Sequence, residues 1–183
     1  MPAARESLLE AAGAALAARP WPDVRMVDVA ASAGVSRQTL YNEFGGKGGL
    51  GRALIRRDGE RYLDGVERAL GTPGRTGERL AAVAEWTLRA ARSYPLVRAL
   101  LTGFWGPDLP SPGRAPGPGQ MARAVRDRAA AALMPAEDVQ RCELAVRLAL
   151  SYVVAPGEEP GAVELLRLLS APSRRAAARS PRG

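Results

Sequence analysis

A glycine set between two short runs of helical periodicity constrains this chain more than any other feature. Met26, Val29, Ala30 and Ala33 recur at three- and four-residue spacing, which places them on one face of a helix. Gly34 follows where that helix must stop and the chain must turn, and glycine alone takes a positive φ cheaply. Ser36 then stands where a hydroxyl can cap a new helix. Leu40 and Phe44, four residues apart, give this second helix one buried stripe. Arg37, Gln38, Thr39, Tyr41 and Asn42 are left on its other faces. The pattern predicts a short helix anchored from behind and offering hydrogen-bonding groups outward. Such a helix resembles the recognition helix of a helix-turn-helix unit.

Composition bounds the rest. At 183 residues and 46% hydrophobic content the chain can bury a proper core, as one medium domain or a small domain joined to a larger one. It has no histidine, which removes the commonest general base and the commonest metal ligand. No metal, cofactor or catalytic residue is expected. The single cysteine, Cys142, excludes an internal disulfide and, lying on an apolar stripe, is expected to be buried and inert. No apolar run approaches the roughly 18 residues of a membrane span. The first ten residues, MPAARESLLE, carry acids where a signal peptide would be apolar. A cytoplasmic protein without a membrane partner is expected. The net charge of +7 invites a nucleic-acid reading, but residues 1–60 hold eight bases against seven acids. Four arginines, at 174, 175, 179 and 182, lie in the C-terminal tail instead. The case for DNA therefore rests on the motif and not on overall basicity.

Read in order, the chain predicts helices throughout. Residues 5–18 carry Leu8, Leu9, Ala12, Ala15 and Leu16 on one side, and Arg19-Pro20 ends that helix. Asp23 is the expected cap of the helix that begins near Val24 to Met26. After Phe44 come Gly45, Gly46, Gly48, Gly49 and Gly51 around Lys47. A phosphate-binding loop is excluded there, because it would need glycine at Tyr41 and a hydroxyl at Gly48. A long helix is expected from Leu50, or a little before, to about Leu70. Residues 76–93 form the next, with Trp86 beside its apolar face. Residues 96–105 are apolar almost all round and are expected to be a buried helix. Residues 106–119, rich in proline and glycine, read as a mobile loop. Helices are then expected at 120–133, 137–154 and 161–170, followed by a disordered basic tail. On residues 137–154, Val139, Cys142, Val146, Ala149 and Val153 make one apolar stripe, and Leu144, Leu148 and Tyr152 make a second. Two stripes require two neighbours, one of which can be another subunit.

Residues 5–55 resemble the N-terminal DNA-binding domain of the TetR, or tetracycline-repressor-like, family of bacterial transcriptional regulators. The matching residues are the opening helix LLEAAGAALA, Trp21 after it, the run VDVAASAGVS, then TLYNEF and Lys47. The resemblance implies an all-α fold. A three-helix head at residues 1–48 is followed by a helical regulatory and dimerisation domain at 49–171, with residues 172–183 as the tail. It implies a homodimer placing one recognition helix per subunit in the major grooves of a palindromic operator. A small apolar ligand in the second domain would release the DNA. Five positions depart from the family pattern: Arg25, Val27, Gly48, Gly49 and Gly51. Arg25 stands where threonine usually opens the second helix, and Val27 where a polar residue is common. The glycines after Lys47 replace helix formers, and each costs about 1 kcal/mol of helix propensity. A late or frayed start to the fourth helix is therefore expected.

Roles follow from residue type and motif position. The DNA-binding candidates are Ser36, Arg37, Gln38, Thr39, Tyr41, Asn42 and Lys47. Arg37 and Gln38 suit base edges, since arginine pairs bidentately with guanine and glutamine with adenine. Thr39 suits a thymine methyl or a phosphate, and Asn42 either a base or a phosphate. The resemblance assigns Tyr41 and Lys47 to the DNA backbone. Glu43 faces a polyanion awkwardly and is expected to point away or to accept from a cytosine amino group. Candidate ligand-pocket residues are Trp86, Tyr94, Leu101, Phe104, Trp105 and Met121. Candidate dimer residues are Val139, Cys142, Val146, Ala149, Val153, Leu166 and Leu169. Two other readings stay open at this level: a non-specific architectural nucleic-acid-binding protein, and a helical lipid- or small-molecule-binding protein.

Overall fold

The computed structural model describes residues 2–133 and 136–155. The helix expected over 161–170, with Leu166 and Leu169, and the basic tail lie outside the described residues. Those residues form eight α-helices: α1 (Pro2–Ala18), α2 (Met26–Ser32), α3 (Arg37–Phe44), α4 (Lys47–Leu70), α5 (Thr76–Ser93), α6 (Pro95–Thr102), α7 (Pro118–Ala132) and α8 (Ala136–Val154). A 3-10 turn at Trp21–Asp23 links α1 to α2. There is no strand among the described residues, and none of their helices is long and apolar enough to cross a membrane.

The first three helices close around Leu8, Leu9, Ala12, Val24, Val29, Ala30, Leu40 and Phe44, all buried. Helix α4 continues from them without a gap. Its first half packs on α1 and α3, and it also packs on α5, α6 and α7. One continuous buried cluster therefore runs from Leu8 through Leu50 and Leu54 to Val153. Helix α8 lies against α5 and α7. Two polar groups in this body core satisfy each other: the Tyr62 hydroxyl lies 3.1 Å from that of Thr87, which donates to the Val83 carbonyl at 2.8 Å.

Four local expectations are corrected. Asp23 does not cap α2: the 3-10 turn Trp21–Asp23 takes up Asp23, and Arg25 becomes the N-cap. Asp28, in the first turn of α2, accepts from Arg25 Nε at 2.9 Å instead. Helix α4 starts at Lys47, not late, with Gly46 as N-cap and its carbonyl accepting from Leu50 N–H at 3.0 Å. Two of the glycines there, Gly49 and Gly51, answer to packing rather than to propensity. A Cβ on Gly49 would run into the Phe44 carbonyl oxygen, and one on Gly51 would lie 2.8 Å from Pro110 Cβ and 3.3 Å from Trp21. Helix α6 stops at Thr102, because Gly103 takes a φ of 76°. Phe104 is consequently turned out and 86% exposed instead of buried. The proline-rich loop is anchored rather than loose: Trp21 N–H donates to the Asp108 carbonyl at 2.8 Å, and Pro110 is buried.

Two outcomes follow from this packing. Gly49→Ala is expected to lower stability by about 1–3 kcal/mol through overpacking against backbone, despite the better helix propensity of alanine. Urea unfolding followed by circular dichroism measures it, and a stabilised variant would refute the packing argument. Cys142 is fully buried, and burial pushes its thiol up to about 11. The folded chain is therefore expected to resist a thiol reagent at mildly alkaline pH and to react at once in denaturant.

Candidate DNA-binding interface

Helix α3 owes its position to the two residues that flank it. Gly34 turns the chain at a φ of 66°. Ser36 is then the N-cap, and its hydroxyl accepts from Thr39 N–H at 3.0 Å. At the far end Gly45, at a φ of 70°, closes the helix by donating to the Tyr41 carbonyl at 2.8 Å. Leu40 is fully buried and Phe44 is 9% exposed, so the back of the helix is fixed to the head. Eight residues would not hold a helix alone; the two caps and two anchors supply what propensity lacks.

The opposite face is open. Arg37, Gln38, Tyr41 and Asn42 are all exposed. Gln38 Nε2 donates to Asn42 Oδ1 at 2.8 Å, so the two amides form one unit on the outer face. The Thr39 hydroxyl sits 2.8 Å from that of Ser36, which ties it to the cap. Arg37 makes no ion pair with another described residue.

Two side chains have partners inside the chain that short-range sequence patterns do not signal. Lys47 Nζ donates to the Pro22 carbonyl at 2.7 Å and lies 5.7 Å from the centre of the Trp21 ring. It bolts the start of α4 to the 3-10 turn, and one of the three donors of its ammonium is used inside the protein. Glu43 is held by Arg5, whose guanidinium reaches its carboxylate at 3.4 Å and covers the Phe44 ring at 4.7 Å. Arg5 thus offsets the one acid on α3. Sequence reasoning missed this pairing because 38 residues separate the partners and no short-range pattern signals it.

The remaining candidates fall into separate places. Trp86 and Tyr94 line a cavity of about 380 Å³ together with Asp58, Arg61, Asp64 and Arg68. The Trp86 indole is locked there by its N–H bond to the Tyr62 carbonyl at 2.9 Å, and Gly65 leaves it room, since a Cβ would collide with the ring. Leu101 borders a different cavity, of about 180 Å³, between α6, α7 and α8. Met121 is part of the core, Trp105 is half-buried and Phe104 is exposed. The six residues therefore do not share one pocket, because Gly103 ends α6 before Phe104 and the chain turns outward. On α8, Cys142, Val146, Ala149 and Val153 are buried within this chain, with Val139 half-buried beside them. On the second stripe Leu144 is 54% exposed, and Leu148 and Tyr152 are half-buried. No group of three acidic or cysteine side chains among the described residues is placed to hold a metal ion.

Comparison with known proteins agrees with this geometry. Residues 8–54 match the family model of bacterial regulatory proteins, tetR family. The HTH-type transcriptional regulator AlkX of Mycobacterium tuberculosis is 34% identical over 189 residues, spanning 91% of this chain and 83% of that protein. Among solved structures, the TetR family repressor AlkX of a Dietzia species, implicated in biodegradation of n-alkanes, superposes with a TM-score of 0.59. It is 27% identical over 89% of this chain and 91% of that one. A tetR-family transcriptional regulator from Streptomyces coelicolor, 23% identical, shares the fold at a TM-score of 0.57, covering 92% of this chain and 78% of that one. A capped, outward-facing recognition helix on an all-helical body, with a relative of this identity and coverage, leaves one reading: the chain belongs to the TetR family and is a DNA-binding transcriptional regulator, not an enzyme.

Proposed function

We propose that this regulator is a homodimeric repressor that binds a palindromic operator and is released by a small molecule. The exposed polar face of α3 carries the proposal. Arg37 and the coupled amides of Gln38 and Asn42 have the donors and acceptors needed to read base edges in a major groove. Tyr41, Thr39, Ser36 and Lys47 fit the sugar–phosphate backbone beside them, which fixes register without reading sequence. The likeness to the AlkX repressor supports repression over activation.

The division of labour follows the elements. Residues 1–48 act as the reading head, and residues 49–171 as the body that pairs the subunits and senses the ligand. The stripe Leu144, Leu148 and Tyr152 on α8 supports a subunit interface, because an exposed leucine beside half-buried apolar groups favours coverage. The cavity walled by Trp86 and Tyr94 supports a ligand site. It borders the middle of α4, whose first turn follows the recognition helix. An apolar ligand is consistent with the resemblance to a regulator implicated in n-alkane degradation. Release requires that the ligand bind the DNA-incompetent arrangement better than the competent one.

Arg37→Ala is expected to cost about 1–3 kcal/mol in operator affinity and to relax specificity at one base pair. Fluorescence anisotropy on single-base variants of a footprinted duplex from the gene's own flank measures this. Uniform weakening on every sequence would assign Arg37 to a phosphate. Light scattering at micromolar concentration is expected to give a dimer, and Leu144→Glu to shift it towards monomer. A monomeric wild-type chain would refute the interface.

A further inference from the structure

The segment between α6 and α7 leaves the body and returns to it at one place. A Cβ on Gly103, at its start, would lie 3.2 Å from Pro118 Cγ at its end. Its middle nevertheless lies on the reading head. Asp108 accepts the Trp21 N–H at 2.8 Å. Pro110 is buried where Gly51 and Trp21 leave space for it. Gly113, at a φ of 55°, sits beside Arg52, its missing Cβ 3.7 Å from Arg52 Cδ. Leu109 and Ala115 pack half-buried on the common core.

Contacts continue from there towards the DNA face. Trp21 is only 7% exposed and belongs to the 3-10 turn whose Pro22 carbonyl takes the Lys47 ammonium. Lys47 opens α4 directly after the Gly45-Gly46 turn that ends α3. The loop thus forms a link between body and head that is separate from the covalent one along α4. Pro107, Pro110, Pro112 and Pro116 fix φ at four positions along it. Its roots flank the cavity of about 180 Å³ bordered by Leu101, Pro118, Val125 and Val146.

We propose that the α6–α7 loop is a strap that holds the head at the angle required for operator binding, with Pro110 and Trp21 as its positioning residues. Seated, it fixes the head on the body; unseated, the head moves together with α4 against the rest of the body. The proposal rests on the two-headed regulator reading above. It adds that specificity for a spaced operator depends on a contact that never touches DNA.

Two variants of the full chain test it. Pro110→Gly removes the buried ring. Gly51→Ala introduces a methyl against Pro110 and Trp21 while favouring the α4 helix. Affinities for the footprinted operator and for random duplex are measured by anisotropy, and Trp21 amide exchange by mass spectrometry. Unseating is expected to speed Trp21 exchange and to lower operator affinity by at least about fivefold, the scale of a typical coupling. Random-duplex affinity and its salt slope should stay unchanged, since phosphate contacts carry them. Damage to the head fold would lower both affinities together and overturn the proposal. Wild-type operator affinity with a rapidly exchanging Trp21 amide would also overturn it. Should both variants fail to fold, the wild-type chain decides. Operator binding must slow exchange across residues 106–116, by reciprocity, and unchanged exchange there refutes the strap. A wild-type chain that does not prefer operator over random duplex overturns the regulator reading itself, and the strap with it.

Discussion

Everything in this molecule depends on α4 belonging to two packing units at once. Leu50 and Leu54 are fully buried among the residues of the reading head, while Tyr62, Val66 and Leu70 are buried in the body. A helix of 24 residues is stiff over its length of roughly 36 Å, so its two ends cannot be repositioned independently. Close approach in the first half is secured by Gly13 of α1, whose absent Cβ would meet Leu54 Cδ1 at 3.7 Å and Arg57 Nη2 at 2.9 Å. Arg57 and Asp58 form a largely buried ion pair, at 3.0 Å, beside that junction. Burial raises the Asp58 carboxyl above the usual aspartate range even though Arg57 opposes the shift. Such a pair is weak evidence of stability; the apolar packing around it holds the junction.

The glycines of α4 show how packing overrides propensity. By propensity alone, Gly48, Gly49 and Gly51 argue for a frayed helix. In the fold, Gly49 lets α4 start against the last turn of α3, and Gly51 lets Trp21 and Pro110 come close. Gly65 does the same for the Trp86 indole one layer further on. Each glycine gives up some intrinsic helix stability for an approach that no side chain would permit. The same three positions connect recognition helix, 3-10 turn, loop and cavity wall into one mechanical unit.

Electrostatics on the reading face is local, not global. The first 60 residues are almost neutral, so long-range attraction contributes little specificity. Arg5 neutralises Glu43, the cap satisfies an amide that would otherwise lack a partner, and Gln38 and Asn42 orient one another. What remains outward is a small set of aligned donors and acceptors. On the function proposed above, such a set would discriminate between base pairs more sharply than an undirected positive patch could.

Helical character, the turn at Gly34, the cap at Ser36 and the anchors Leu40 and Phe44 are legible in the residues alone. These are short-range properties, fixed by φ preferences, hydroxyl geometry and a four-residue repeat. The bounds of α5 and α8 were legible for the same reason: their apolar stripes repeat at helical spacing over several turns. Long-range packing settled which stripe of α8 is more deeply buried within the chain, because both stripes have the same period. It decided that Lys47 serves Pro22 and Trp21, that Arg5 serves Glu43, and that Phe104 faces outward after Gly103. It also turned a proline-rich loop, read as mobile from composition, into a contact on the head. In every such case the partners lie far apart in sequence, and their meeting is set by how α4 brings head and body together.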